Sequence, residues 1–120
     1  MWIFLLFRMK KYTFDEYQKI AHKTADYSNF VPAFIYLCLG IAGETGEVVE
    51  KIKKIVRNND GKYTEDDLKE IEKELGDVLW YISELANEFN IPLSSIANTN
   101  LEKVLDRKKR KVIKSKGDNR

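Results

Sequence analysis

The sequence is poor in the residues that build cross-linked or loop-rich proteins. It has one cysteine, two prolines and six glycines among 120 residues, so an intrachain disulfide and a scaffold of irregular loops are both excluded. We expect Cys38 to be a buried, unreactive thiol, because it lies in an apolar run. The single histidine, His22, excludes the paired Glu-x-x-His motifs of a di-iron bundle, and we interpret it as a surface or capping residue.

The chain also lacks a hydrophobic run long enough to cross a membrane. Residues 1–7 are all apolar, but a transmembrane helix needs about 20 such residues. No basic segment precedes this run and no small-residue cleavage site follows it, which argues against a signal peptide. We therefore predict a cytoplasmic protein with no membrane partner. Three interpretations of the run stay open: it packs on the core, it lies at a subunit interface, or it precedes a natural start at Met9.

Charge is divided unevenly along the chain. Residues 1–106 carry 13 Lys and Arg against 18 Asp and Glu, a net charge of −5, whereas residues 107–120 carry eight basic residues and one acid, a net charge of +7. An excess of carboxylates suits a metal site better than a nucleic-acid surface. The basic tail keeps an alternative open, a helical binding module that contacts nucleic acid. It is also compatible with a solvated helix end or a lid over a phosphorylated small molecule.

The apolar residues follow a 3.6-residue period, and neither sustained alternation nor an Asn-Gly hairpin occurs, so the predicted fold class is all-α. We predict helices over residues 13–27, 32–57, 64–90 and from 93 to beyond 107, with Thr13 and Thr64 as N-caps and a turn at residues 58–61. Short connections favour an antiparallel four-helix bundle. The predicted organisation is an apolar N-terminal extension (1–12), one all-α domain (13–110) and a basic C-terminal tail (111–120).

Two acidic pairs carry the strongest functional signal. Glu44 and Glu47 lie three residues apart on the second predicted helix, and Glu74 and Asp77 lie three apart on the third. At about 100° per residue, both pairs flank their own apolar stripe at about 80° and 140°, in the same direction. The pairs are also equally distant from the predicted turn around Asp60. An antiparallel hairpin would therefore place all four carboxylates along one groove.

Four carboxylates this close repel one another unless a cation lies between them. Oxygen ligands select hard ions, so we predict Mg²⁺, with Mn²⁺ as a substitute, bound by Glu44, Glu47, Glu74 and Asp77. The alternative is an ordinary solvated acidic flank, in which Lys51 and Lys54 pair with neighbouring glutamates. Two pairs matched in angle and level favour the metal site over that alternative.

The fourth predicted helix supplies a complementary set of side chains. Asn100, Lys103 and Arg107 follow one edge of its apolar line at i, i+3 and i+7. An amide, an ammonium and a guanidinium on one edge can bind and neutralise phosphate oxygens. Taken alone, the same residues also fit a basic solvent-facing surface.

These features together resemble the MazG-like nucleotide pyrophosphohydrolases. The matching segments are GIAGETGEVVEK (40–51), KELGDVLWY (73–81), NLEK (100–103), DR (106–107) and GDNR (117–120), and the resemblance extends over about residues 13–120. It implies an all-α fold and magnesium-dependent cleavage of a nucleoside triphosphate, either NTP or dNTP, into a monophosphate and pyrophosphate. It also implies a homodimer or homotetramer whose sites are completed at subunit interfaces.

The resemblance also implies roles for individual residues. Glu44, Glu47, Glu74 and Asp77 would hold the metal, and Asn100, Lys103 and Arg107 would contact phosphate or sugar. We select Glu47 as the catalytic group that orients or deprotonates the attacking water. The same scaffold hosts all-α dUTP hydrolases and phosphoribosyl-ATP pyrophosphohydrolases, and the base preference is not predicted. Aromatic candidates for a base pocket are interpreted first as core or interface: Phe30, Tyr36, Trp80 and Tyr81.

Overall fold

A computed structural model describes residues 10–30 and 32–111 of the chain. Their secondary structure is entirely helical, which confirms the all-α prediction: α1 is Phe14–His22, α2 is Ala33–Asn59, α3 is Glu65–Glu88 and α4 is Leu93–Lys111. Within these ranges no helix is both long and apolar enough to cross a membrane. The predicted N-terminal extension and the end of the basic tail lie largely outside the described residues, so the domain boundaries stay predictions.

Helix α1 begins as predicted and ends earlier. The Thr13 hydroxyl accepts a hydrogen bond from the Glu16 amide at 3.1 Å, and the Thr13 amide donates to the Glu16 carboxylate at 2.8 Å, so the capping box is formed. The prediction that the helix runs to Tyr27 is wrong, because α1 stops at His22. Just beyond it, the Thr24 hydroxyl donates to the carbonyl of Ala21 at 2.7 Å, and such side-chain bonds compete with helix continuation.

Helices α2 and α3 form a long antiparallel hairpin that is the main body of the structure. The turn between them lies where it was predicted, with Asp60 at φ 52° and Gly61 at φ 80°. These left-handed conformations end α2, and glycine and aspartate are residues that tolerate such conformations. A second capping box, made by Thr64 and Asp67, then starts α3.

The core lies at one end of this hairpin. Among the described residues, the buried apolar side chains are Ala21, Tyr27, Leu37, Ala86 and Leu93. Toward the turn, the predicted apolar stripes are half-buried or open to solvent. The exposed members include Ile52 and Val56 on α2 and Leu68 and Leu75 on α3.

Cys38 corrects one expectation from the sequence, because its side chain is exposed rather than buried. It follows the fully buried Leu37, and neighbouring residues on a helix point about 100° apart. The thiol therefore lies off the face that packs into the core.

Helix α4 packs chiefly against α1 rather than along the hairpin. The side-chain amide of buried Gln18 donates to the Ile91 carbonyl at 2.9 Å and accepts from the Leu93 amide at 2.8 Å. The Asp15 carboxylate accepts from both the amide and the hydroxyl of Ser94, at 3.0 and 2.7 Å. The bonds from the Leu93 and Ser94 amides satisfy backbone donors at the start of α4, where a helix has no internal partners.

Candidate metal centre

The hairpin brings carboxylates from both of its helices together. Oxygen atoms of Glu44 on α2 and of Glu74 and Asp77 on α3 all lie within 4.8 Å of one another. Glu44 and Glu74 are half-buried and Asp77 is exposed. Three convergent carboxylates can share one divalent cation, and hard ions such as Mg²⁺ take oxygen ligands of this kind.

The electrostatics of Glu44 fit a site that needs a cation. Its pKa is raised above the ordinary value, first because burial disfavours the charged form and then because Asp77, Glu74 and Glu47 carry like charges nearby. A cation among these carboxylates would oppose both effects. The donor set and its mutual repulsion therefore both fit a metal ion.

Glu47 is the one predicted metal ligand that lies outside the converging group. It is on α2, one turn beyond Glu44, and its side chain is exposed. Its charge still contributes to the raised pKa of Glu44. The structure thus places Glu47 at the border of the carboxylate group, on the solvent side.

Tyr81, an aromatic residue interpreted from the sequence as core or interface, adjoins the centre on α3. A hydrogen bond with Tyr36 is the largest cause that raises its pKa, followed by burial and by the charges of Tyr36, Glu44 and Asp77. Its ring lies so close to Gly40 that a Cβ at that position would collide with it. Gly40 is one turn before Glu44, so this contact helps to fix α2 and α3 beside the carboxylates.

The predicted phosphate-binding residues lie on α4, and their roles stay predictions. Asn100 and Lys103 are exposed and Arg107 is half-buried. Among residues 10–30 and 32–111, no ion pair joins Lys103 or Arg107 to an acid of the hairpin. Helix α4 makes its main helix contacts with α1.

The chain is similar in sequence to known proteins. Residues 34–112 match the MazG nucleotide pyrophosphohydrolase domain. The Gene 37 protein of Mycobacterium phage L5 is 40% identical over 111 residues, an alignment that covers 88% of this chain and 97% of the phage protein. No solved structure matches the chain. The matched segment contains all but the first residue of the α2–α3 hairpin, including its acids, and the chain belongs to the MazG nucleotide pyrophosphohydrolase domain family.

Proposed function

We propose that the protein hydrolyses a nucleoside triphosphate, NTP or dNTP, to the monophosphate and pyrophosphate in a magnesium-dependent reaction. Membership of the family supports nucleotide pyrophosphohydrolase activity. The observation that carries the metal dependence is the convergence of Glu44, Glu74 and Asp77 within 4.8 Å. A protein that only bound nucleic acid through its basic tail would not need acids matched across a hairpin.

The proposed metal ligands are Glu44, Glu74 and Asp77, with Glu47 as a fourth at the solvent side. Mg²⁺ prefers oxygen ligands and commonly binds substrate phosphates through a few carboxylates, and Mn²⁺ accepts similar ligands. When bound there, the ion supplies positive charge that stabilises the phosphate oxygens as the phosphoanhydride bond breaks. The like charges that contribute to the raised pKa of Glu44 would be offset by the positive charge of the ion.

Glu47 is the proposed catalytic residue. Its exposed carboxylate lies one turn from Glu44, at the border where water and substrate would meet the metal ligands. From there it would orient a water molecule and accept its proton as the oxygen attacks phosphorus. Attack at the α-phosphorus, with pyrophosphate as the leaving group, follows from the activity of the family.

Phosphate or sugar binding is assigned to Asn100, Lys103 and Arg107 on α4. Lys103 and Arg107 can neutralise phosphate oxygens, and the Asn100 amide can hydrogen-bond to them or to the sugar. Helix α4 makes its main contacts with α1, and a homodimer or homotetramer would provide a route by which α4 of one copy completes the site of another.

The test is turnover of the eight common NTPs and dNTPs with Mg²⁺, with separate detection of monophosphate and pyrophosphate. We expect at least one substrate to yield both products, and excess chelator to abolish the reaction. Full activity without a divalent cation would overturn the metal assignment. Release of orthophosphate instead of pyrophosphate would overturn the reaction type.

A matched trio of variants tests the residues. Glu47→Gln and Asp77→Asn should each lower kcat by about 10²-fold or more, because each removes a charged group from the reacting centre. Glu50→Gln is the control, since the Glu50 carboxylate is paired with the Lys53 ammonium at 2.8 Å and lies outside the converging group. Unchanged turnover in Glu47→Gln would remove Glu47 from the mechanism. Equal damage in Glu50→Gln would contradict our placement of the centre.

A further inference from the structure

A second polar cluster lies away from the metal centre, around a fully buried glutamate. Glu84 on α3 has no solvent-exposed side-chain surface. One carboxylate oxygen accepts from the Tyr27 hydroxyl at 3.0 Å and from Nδ1 of His22 at 2.8 Å. The other oxygen accepts from the side-chain amide of Asn87 at 3.2 Å. A buried carboxylate is costly unless it is hydrogen-bonded in this way, so these bonds fix its neighbours in place.

The bond to Glu84 determines how the His22 ring is presented. Because Nδ1 donates to the carboxylate, the second ring nitrogen, Nε2, is left for another partner. The side chain of His22 is 58% exposed even though its partner is fully buried. Glu84 therefore holds the imidazole through Nδ1 while more than half of the His22 side chain stays exposed.

His22 lies at the wall of a cavity of about 640 Å³ between α1 and the start of α2. The other walls include the rings of Tyr27, Phe30 and Phe34, with Glu88 at one side. Cavities that bind small molecules span about 300–1,000 Å³ and combine apolar walls with a few fixed polar groups. This cavity has that composition, and a planar heteroaromatic ring suits its aromatic walls.

A continuous row of aromatic rings connects the cavity to the metal centre. Phe30 stacks on Tyr36 with ring centroids 4.5 Å apart and an interplanar angle of 11°. The rings of Tyr36 and Tyr81 form a tilted pair with centroids 6.4 Å apart. Tyr81 lies one helical turn after Asp77 on α3, and its ring lies against Gly40, one turn before Glu44 on α2. The cavity and the carboxylates thus lie at opposite ends of one surface only a few rings long.

We propose that this cavity binds the nucleobase of the substrate, with Phe30 and Phe34 as stacking surfaces and Nε2 of His22 as a hydrogen-bonding group at the edge of the base. Glu84 is a positioning residue that acts through His22. The proposal rests on the proposed function for the location of the phosphates, which would lie at the carboxylate end. Aromatic stacking suits any base, and the fixed imidazole adds selection among bases.

Binding calorimetry tests the cavity without any need for hydrolysis. The probes are the nucleoside monophosphates and ribose 5-phosphate, which shares their sugar phosphate and lacks the base. With the wild-type protein and Mg²⁺, at least one monophosphate should bind about tenfold or more tightly than ribose 5-phosphate, the contribution expected from base stacking. Equal affinity for all probes would overturn the proposal, whether or not the protein hydrolyses triphosphates.

Phe30, in the cavity lining, and Phe14, outside it, provide a matched pair of variants. Phe30 and Phe34 line the cavity, and Phe14, on α1 and outside the cavity lining, is 47% exposed against 48% for Phe30. Phe30→Ala should bring the affinity ratio between monophosphate and ribose 5-phosphate close to one, and Phe14→Ala should leave it unchanged. An unchanged ratio in Phe30→Ala, with the helical content intact by circular dichroism, would overturn the assignment.

His22→Ala and Glu84→Gln separate base selection from structure. His22→Ala should flatten the differences in affinity among the monophosphates while ribose 5-phosphate binds as before. For an active enzyme, it should raise KM for the preferred triphosphate and leave kcat within about twofold. Glu84→Gln should also reduce the differences in affinity among the monophosphates, as His22→Ala does. Loss of kcat with KM unchanged would show that His22 acts on the reaction instead, and would overturn its role in base binding.

Discussion

Glu44 is a residue on which burial and three neighbouring acids act in the same direction. Its pKa is raised, so between its unfolded value near 4.5 and the raised folded value the native state binds more protons than the unfolded chain. Stability of the metal-free protein should therefore fall as the pH rises through this window. At low pH the Glu44 carboxyl group is protonated, so the cost of burying its charge next to other acids is absent. At neutral pH the carboxylate is ionised, and that cost destabilises the folded protein.

Thermal unfolding midpoints of the metal-free protein between pH 4 and pH 8 check this prediction. Glu44→Gln should raise the midpoint at neutral pH and reduce its decline with pH, and added Mg²⁺ should raise the wild-type midpoint by binding the native state. Glu50→Gln is the control, because the pKa of Glu50 is shifted in the opposite direction to that of Glu44. The hydrogen bond and charge of Lys53 lower the pKa of Glu50, so its contribution is present above the unfolded pKa and lost as the pH falls. A Glu44→Gln protein with wild-type pH dependence would contradict the repulsion argument.

Individual side chains also show what the sequence could predict. Local signals were sufficient for both N-caps and for the turn, because each depends on residues at most a few positions apart. Angle and level alone predicted that Glu44, Glu47, Glu74 and Asp77 would lie along one groove, and all of these except Glu47 converge. Glu84 gave no such signal, since its partners His22 and Tyr27 are 62 and 57 residues away in the chain. In the sequence it is one more glutamate on an amphipathic helix.

At the scale of elements, periodicity predicted the faces of helices better than their neighbours. The end of α1 was missed because it depends on Thr24, whose hydroxyl also accepts a hydrogen bond from the Trp80 indole at 2.9 Å. The placement of α4 was missed for the same kind of reason. The apolar residues of α4 show which of its faces should be buried. Only the bonds from Asp15 and Gln18 show that its first turn is attached to α1.

Gln18 is the element-scale connection most open to test. Its buried amide satisfies the Ile91 carbonyl and the Leu93 amide. Gln18→Ala would leave both backbone groups without their partner, and each unsatisfied buried group costs about 1–3 kcal/mol. We expect a loss of about 2 kcal/mol in the free energy of unfolding, measured by urea denaturation. The adjacent Lys19→Ala is the control, because Lys19 is exposed and should change stability little. Equal stability of the two variants would show that water replaces the amide.

For the whole molecule, the open apolar surface predicts self-association. Leu39 and Val56 on α2 and Leu105 on α4 are 66%, 59% and 60% exposed. Large exposed apolar patches mark interaction surfaces in monomer-sized proteins, and we expect a homodimer or homotetramer by light scattering or sedimentation equilibrium. Val56→Glu should shift the mass toward the monomer because it places a charge among the exposed apolar side chains of α2. Lys53→Glu, on an exposed position of the same helix, is the control. A strictly monomeric wild-type protein with full activity would contradict this prediction.

The attachment of α4 to α1 has a consequence for how the native state opens. A segment held by a few hydrogen bonds at one end can unfold without disrupting the rest, and such segments exchange their amide hydrogens as a cooperative unit. Because Asp15 and Gln18 connect the start of α4 to α1, we expect α1 and α4 to lose protection together in low urea, while α2 and α3 keep theirs. Hydrogen exchange followed by mass spectrometry measures this directly. Independent loss of α4, with α1 still protected, would show that those bonds do not couple the two helices.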